Sequence, residues 1–503
     1  MSIFTNTICA PASSGGGAIS VIRVSGDKSI EIVDRIFSPA VATEHTGMRP
    51  VSLMEAKGYS MHFGSIYAGD GEDRRQIDEV IVSVFRAPAS YTGENSIEIS
   101  CHGSSYIIQE ILDLLIQGGA KMAAPGEFTQ RAFVNGKMDL SQAEAVADLI
   151  ASQTEAAHRI AMNQLKGGFS DELSEMRQEL LHIVSLMELE LDFSEEEVEF
   201  ADRRELRELL DKVTNHIGRL ISSFSLGNAI KNGVPVAIAG ATNSGKSTLL
   251  NAILGENRAI VSDIAGTTRD TIEETFNIDG VLFRFIDTAG LRNSDDVIER
   301  IGIERAYSKI DEALLVLAVC DLTSPLEDII SSARDILGRI DGDSPGGGTG
   351  DKKVVFLLNK SDIASEEQKC EAVRSLESLL KDCCGLQLRD NSGSCTGSPC
   401  QIFCISAKEK IGIREFIDHI SSTYRTLNAS SETSLVTNVR HLEALKAAQE
   451  SLLRVREGLD TTTPTDLIAQ DIREALYHLG TIVGEITTDE VLGNIFRNFC
   501  IGK

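Results

Sequence analysis

Residues 240–248 read GATNSGKST, with the apolar run VPVAIA (Val234–Ala239) before them and the helical pattern STLLNAILG (Ser247–Gly255) after. The stretch fits G-x-x-x-x-G-K-[ST]. A buried strand that opens into a glycine loop and then a helix turns backbone N–H groups toward one point, and that point suits phosphate oxygens. Asn243, Ser244, Gly245 and Thr248 belong to the same wrap. Lys246 neutralises β- and γ-phosphate charge, and Ser247 offers its hydroxyl to Mg²⁺.

Four further pieces follow in the order that a GTP-hydrolysing domain requires. SDIAGTTRD supplies Ser262, Asp263, Ile264, Ala265, Gly266, Thr267 and Thr268, with Thr268 placed to complete the Mg²⁺ shell. DTAG, from Asp287 through Thr288 and Ala289 to Gly290, closes a strand. There Asp287 can hold the metal's water shell, and the Gly290 N–H can face the γ-phosphate. NKSD brings Asn359, Lys360 and Asp362 to the end of another strand. A carboxylate at Asp362 accepts from guanine N1 and N2, a pair of donors that adenine lacks. SAK (Ser406, Ala407, Lys408) ends the next strand and can cover guanine O6.

The apolar runs VPVAIAG, VLFRFIDTAG, ALLVLAVCD, KKVVFLLNK and QIFCISA alternate with helical stretches. Continuous apolar strands separated by helices imply a parallel, doubly wound sheet covered on both faces. This Ras-like domain is expected over residues 228–426. Helical spacing flanks it on both sides, at 126–227 and at 427–503, so the α/β domain is read as an insertion in a helical one. Ser141 and Glu144 form a capping-box signal for the helix at LSQAEAVADLIA. Residues 1–125 mix β-rich runs (AISVIRVSG, EVIVSVFRA, SIEISCHG) with one helix pattern, SYIIQEILDLLIQGG, and read as a small α+β domain. The fold class is therefore multidomain: α+β, then helical, with a P-loop α/β domain inserted.

The composition narrows the function classes. The net charge of −27 excludes a protein that coats nucleic acid with its whole surface. Residues 171–211 alone hold 15 acidic and 4 basic side chains, read as a solvated helical face. No apolar run approaches the roughly 18 to 20 residues of a membrane span, and the opening lacks a basic start followed by an apolar core. A cytoplasmic protein without a membrane partner is expected, its ten cysteines reduced. The order Cys383, Cys384, Cys395, Cys400, Cys404 contains no CxxC pair, so with DGDSPGGGTGD it reads as loop insertion.

The hydrolytic group is not given by the common pattern. Many small GTPases orient water with a Gln directly after the DxxG element, and that place is Leu291. Asp295, Asp296 and Glu299 lie near enough in sequence to serve instead. The ending FCIGK raises a separate question, because a cysteine four residues from the end suggests a prenylation signal that Gly502 and Lys503 then fail to complete.

Taken together, RVSG, YTGENSIEISCHG, PGEFTQRAFVNGKMDLSQAEAVADLI, AGTTRD, DTAGLR, IERIGIERA and FCIGK resemble the MnmE (TrmE) family of tRNA-modification GTPases, over essentially the whole chain outside the two insertions. The resemblance implies an N-terminal folate-binding domain that also makes a homodimer, with folate contacts at Arg23, Glu98, Lys137 and Lys503. The implied cofactor is a 5,10-methylene- or 5-formyl-tetrahydrofolate. It implies an FAD-dependent partner, MnmG, in a heterotetramer or larger complex, and tRNA as the substrate, modified at C5 of the wobble uridine with an aminomethyl or carboxymethylaminomethyl group. It places the hydrolytic acid at Glu299, Cys500 beside the one-carbon unit, and a K⁺ held by Asn243, Ser262, Ile264 and Thr267. A monovalent cation there would supply charge that an arginine finger supplies elsewhere. Thr242, Ser262, Asn95 and Ala124 depart from the residues common in the family. Two rival readings share the GTPase motifs. A ribosome-assembly GTPase of the Era or Der type should carry a basic RNA-binding module, whereas a switch or scaffold would lack a hydrolytic acid.

Overall fold

The computed structural model describes residues 6–13, 16–40, 52–69, 73–192, 203–255, 260–261, 274–286, 310, 312–340, 352–384, 400–425, 434–461, 463–486, 489–497, 499 and 502. The chain divides into two compact units. One comprises Met1–Ala151, Ala161–Arg219 and Val439–Lys503, and the other Ser152–Ile160 and Leu220–Asn438.

The first unit opens with a seven-stranded sheet in the order β3-β4-β5-β6-β2-β1-β7. Its strands are β1 (Ile8–Pro11), β2 (Ile19–Ser25), β3 (Phe37–Pro39), β4 (Ser60–Ala68), β5 (Arg75–Phe85), β6 (Ser96–His102) and β7 (Lys121–Met122). All pairs are antiparallel except β1 with β7. Alternation decides the faces, as period-2 side chains must. Ile97, Ile99 and Cys101 of β6 and Val80, Val82 and Val84 of β5 are buried in one cluster with residues of α1 (Ser29–Ile36) and α2 (Ser105–Gln117). Glu98 and Ser100 alternate with them and stand on the other face, which also carries Arg23 directly opposite Glu98.

Helices α3 (Glu127–Val134), α4 (Leu140–Ala151), α5 (Glu155–Leu165), α6 (Gly168–Asp192) and α7 (Arg203–Asn232) come next. Helical segments after the nucleotide domain, Val439–Asp460, Thr465–Val483 and Asp489–Phe496, return to the first unit. The capping box of α4 is not the one expected from Ser141 and Glu144. Asp139 and Gln142 cap reciprocally: the Gln142 N–H donates to Asp139 Oδ1 at 2.8 Å, and the Asp139 N–H to Gln142 Oε1 at 2.9 Å. Ser141 instead accepts from Gln164 Nε2 at 3.1 Å, and Glu144 is drawn into the helical core. There Arg440 Nε and Nη2 donate to its two oxygens at 3.0 and 2.9 Å, and His441 Nε2 lies 2.7 Å from Oε2. Arg440 also donates to the carbonyls of Thr481 and Ile482, so one carboxylate holds together three helical segments far apart in sequence.

The second unit is built on the sheet β14-β13-β12-β8-β11-β10-β9. β8 (Val234–Ala239), β11 (Val281–Phe285), β12 (Leu315–Asp321), β13 (Lys353–Asn359) and β14 (Cys400–Cys404) are parallel, as expected from their apolar runs. Successive residues of β12 bury on opposite faces: Leu315, Leu317 and Val319 in one core, Val316, Ala318 and Cys320 in the other. That explains why the strand is apolar throughout. The sheet is nevertheless mixed, which corrects the wholly parallel reading. β10 (Glu274–Ile278) runs antiparallel to β11, and β9 (Ile260–Val261) antiparallel to β10. The Asp279-Gly280 pair, with φ of +50° and +85°, makes the two-residue hairpin turn between β10 and β11.

Candidate functional site

The phosphate loop connects β8 to α8 (Lys246–Leu254). Asn243 sits at φ +62°, a left-handed conformation that asparagine tolerates, and the chain turns there before the helix begins. Lys246 Nζ donates to the carbonyls of Gly240 and Ala241 at 2.9 and 2.7 Å. Burial lowers its pKa, and the two carbonyls are polar partners that compensate for lost water. Ser244 is buried with its Oγ unpartnered among the described residues. An orphaned hydroxyl inside a glycine cradle fits a site that a phosphate completes. Ser247 stands in the first turn of α8, where a helix start favours anionic oxygen, and Thr248 follows it.

Asn359 ties the loop to the segment that follows β14. Its Nδ2 donates to the Ser244 carbonyl at 2.8 Å, while its Oδ1 accepts from the Ala407 N–H at 2.9 Å. A Cβ at Gly245 would collide with that same Nδ2, so this position of the loop excludes any side chain. Asp362 is exposed and ionised: a hydrogen bond from Ser406 holds its carboxyl below the ordinary range. Its neighbour Ser406 is buried, and Lys408 projects to solvent. Lys360 Nζ donates to Asp321 Oδ2 at 2.6 Å. Asp321 was not among the residues expected from sequence. Burial opposes its charge, but hydrogen bonds from Lys360 and Thr323 outweigh that and lower its pKa. Its position at the end of ALLVLAVCD, level with Asn359 in the β12–β13 register, was the available signal.

The structure thus brings Asn243, Ser244, Gly245, Lys246, Ser247, Thr248, Asn359, Lys360, Asp362, Ser406, Ala407 and Lys408 to the ends of adjacent parallel strands. Ser262 to Thr268, Asp287 to Gly290 and Glu299 lie outside the described residues. So do Cys500 and Lys503.

A second cluster occupies the open face of the N-terminal sheet. Arg23 Nε and Nη2 donate to Glu98 Oε1 at 3.0 and 2.8 Å. The guanidinium lies over the rings of Tyr91 and Phe128, 5.1 and 5.7 Å from their centroids, and its Nη1 reaches the Gly502 carbonyl at 3.5 Å. Lys137 is set apart from this pair: its Nζ donates to the Pro88 carbonyl at 3.2 Å, on the loop that carries Tyr91. Gly502 is buried at φ +95°, and a Cβ there would strike the Pro11 carbonyl oxygen. Phe499 packs with Phe496, Leu492, Leu140 and Ala143. Both described residues of the last five are therefore docked, Phe499 on helices and Gly502 on β1. Cys9 and Cys101, by contrast, are ordinary core thiols that burial pushes up to about 11.

Beneath this cluster, Arg131 is fully buried and donates to Glu94, to Glu127 and to the Asn6 carbonyl. Ser25 Oγ adds a hydrogen bond to Glu94 Oε2 at 3.0 Å. The network fixes α3 against the start of the sheet, and so fixes Phe128 against Arg23. Among the described residues, no helix is long and apolar enough to cross a membrane.

Two family models match the chain. The model described as GTP-binding protein TrmE N-terminus matches residues 7–137, and that described as MnmE helical domain matches residues 140–500. Curated relatives that carry the name tRNA modification GTPase MnmE align with nearly the whole chain. That of Bacteroides fragilis (strain ATCC 25285) is 49% identical over 498 residues, and that of Bacteroides thetaiotaomicron 50% over 498, each alignment covering 99% of both chains. That of Parabacteroides distasonis is 51% identical over 500 residues, covering 99% of this chain and all of the relative.

Proposed function

The chain belongs to the MnmE family of tRNA modification GTPases; it hydrolyses GTP in tRNA modification, and we propose that it couples this hydrolysis to one-carbon chemistry on a bound tetrahydrofolate. The observation that carries the proposal is the Arg23–Glu98 pair, flanked by two aromatic rings and by the Gly502 carbonyl. A carboxylate suits the amino-pyrimidine edge of a pterin, ring faces suit its plane, and a nearby cation suits its anionic tail. Further cations of this reading are Lys137, which the Pro88 carbonyl holds apart from the Arg23–Glu98 pair, and Lys503. When bound, the folate would supply the one-carbon unit destined for C5 of the wobble uridine of certain tRNAs, in concert with an FAD-dependent partner, MnmG, and Cys500 would stand adjacent to that carbon.

In the nucleotide site, Ser247 and Thr268 would hold Mg²⁺, and Asn243 with Ser262, Ile264 and Thr267 would hold K⁺. When bound, such ions would supply positive charge beside the transferring phosphoryl group. The chain's own residues do the rest. Lys246 leaves the Gly240 and Ala241 carbonyls for the phosphates, Asp362 selects guanine, Asn359 keeps the phosphate and base elements in register, and Glu299 orients the attacking water. Dimerisation uses the open face of the N-terminal sheet. That face leaves Met61 70% and Phe63 56% exposed on β4, with Ile81, 40% exposed, directly opposite Phe63 on β5. Large apolar side chains gathered on one sheet face support a covering partner.

Titration of the purified protein with 5-formyl-tetrahydrofolate tests the reading. Saturable binding that is lost in Arg23→Ala is expected. Absence of binding to a protein that still hydrolyses GTP would remove the folate chemistry and leave the GTPase.

A further inference from the structure

The hairpin β10–β11 occupies an unusual place in the chain. SDIAGTTRD (Ser262–Asp270) ends four residues before β10, and DTAG starts at Asp287, two residues after β11. Its two strands are therefore the continuations of both segments that face the γ-phosphate in the functional reading. At the other end of the hairpin, Asn277 does two things with one amide. Its Oδ1 accepts from the Gly280 N–H at 3.0 Å, which holds the turn. Its Nδ2 donates to the Gln153 carbonyl at 3.1 Å.

Gln153 belongs to Ser152–Thr154, the three residues between α4 and α5. The next residue, Thr154, caps α5: its Oγ1 accepts from the Ala157 N–H at 3.1 Å. Thr154, with Ala229 and Ile230 of α7, lines a small cavity shared with Gly280, Val281 and Leu282 of the hairpin. Segment Ser152–Ile160 thus belongs to the same compact unit as the hairpin, although the chain on either side of it does not. α5 continues from this contact to Leu165, and Gln164 of α5 donates to Ser141 of α4.

We propose that Asn277 is a positioning residue through which the strands joined to the γ-phosphate segments hold the start of α5, so that the nucleotide state is passed to the helices that serve tRNA modification. The carrier is a hairpin fixed at its turn by the same side chain that grips the helical segment. A shift of either strand along the other must therefore move the Asn277 amide relative to Gln153. The acceptor in this contact is the backbone carbonyl of Gln153.

The chemistry supplies a discriminating variant. Asn277→Asp keeps the oxygen that accepts from Gly280 but replaces the donor to Gln153 with a second oxygen, which repels that carbonyl. In the full-length protein, GTP turnover by Asn277→Asp should stay within about twofold of wild type. tRNA modification in cells carrying only this variant should fall by about tenfold or more, the size of an ordinary coupling term. Hydrogen exchange supplies the readout that a merely structural role would not move. Amides of residues 152–160 should differ between GDP and a non-hydrolysable GTP analogue in the wild type and lose that difference in Asn277→Asp, with phosphate-loop protection unchanged. Wild-type modification by Asn277→Asp overturns the proposal. So does a parallel fall in GTP turnover, which would assign Asn277 to the integrity of its own domain.

Discussion

The two candidate sites are assembled in opposite ways. At the nucleotide end, neighbours in sequence or in strand register meet: Lys246 turns back on Gly240, and Asn359 joins strand ends already aligned by the sheet. At the N-terminal face, Arg23 meets Glu98 across 75 residues and Gly502 across 479. The first is largely a backbone cradle, which a local motif can specify. The second is a set of side chains and one docked tail, each brought in by a different element, so it depends on packing between parts of the chain that share no motif. Loss of tertiary packing at the tail should therefore empty the second site and leave the first working.

The sharpest test of that contrast is truncation. Deleting Cys500–Lys503 should abolish tRNA modification and leave GTP turnover near wild type. Nucleoside mass spectrometry alongside phosphate release measures both, and wild-type modification by the truncated protein would break the comparison. The reciprocal change is Glu299→Ala, which should lower GTP turnover by about 10² or more with GTP affinity retained, as for a group that orients the nucleophile. Normal turnover in that variant would return Glu299 to a solvated surface acid.

A smaller effect is expected from a single methyl group. Gly502→Ala puts a Cβ against the Pro11 carbonyl, an overpacking cost of about 1 to 3 kcal/mol. Expressed through tail docking, this should weaken tetrahydrofolate binding by about tenfold with GTP turnover unchanged, read by titration calorimetry. Equal affinity would show that the tail's fit on β1 does not shape the pocket.

The remaining effect falls on stability, not on either activity, and concerns the carboxylate that ties the helical segments together. Burial pushes the Glu144 carboxyl up, but His441 and Arg440 outweigh burial and hold it at about 2. The unfolded chain's value is roughly 4.3. The folded state therefore binds the Glu144 proton less readily than the unfolded state. The contribution, about 3 kcal/mol, is complete above about pH 5 and is lost as the pH falls toward 2. Denaturant unfolding of wild type and Glu144→Gln should show a stability gap that begins to narrow near pH 5 and closes toward pH 2. A constant gap across that window would mean that the ion pair does not carry the difference.

Much of the nucleotide end was legible because a strand, a loop and a helix follow one another in GATNSGKST, and each strand end announces itself by a polar residue after an apolar run. Asp321 was as legible as Asp287 in principle, since both end such runs, but its role as the anchor of Lys360 appears only when β12 and β13 are set in register. The hairpin partner β10 lies outside the parallel pattern, because the Asp279-Gly280 turn folds the chain straight back on itself. The α4 cap likewise departs from the local signal: Ser141 and Glu144 have the right spacing, yet Asp139 and Gln142 stand at the point where the chain actually enters the helix.

By itself the sequence determined the order of elements, the P-loop chemistry and the family, because these depend on local spacing and on residue types that backbone geometry requires. Tertiary structure alone decided which distant residues share a site: Arg23 with Glu98 and Gly502, Glu144 with Arg440 and His441, Asn277 with Gln153. No periodicity encodes these pairs. They form because separate helices and strands bury apolar faces against one another, and the polar groups carried to the meeting points must then find partners in place of water.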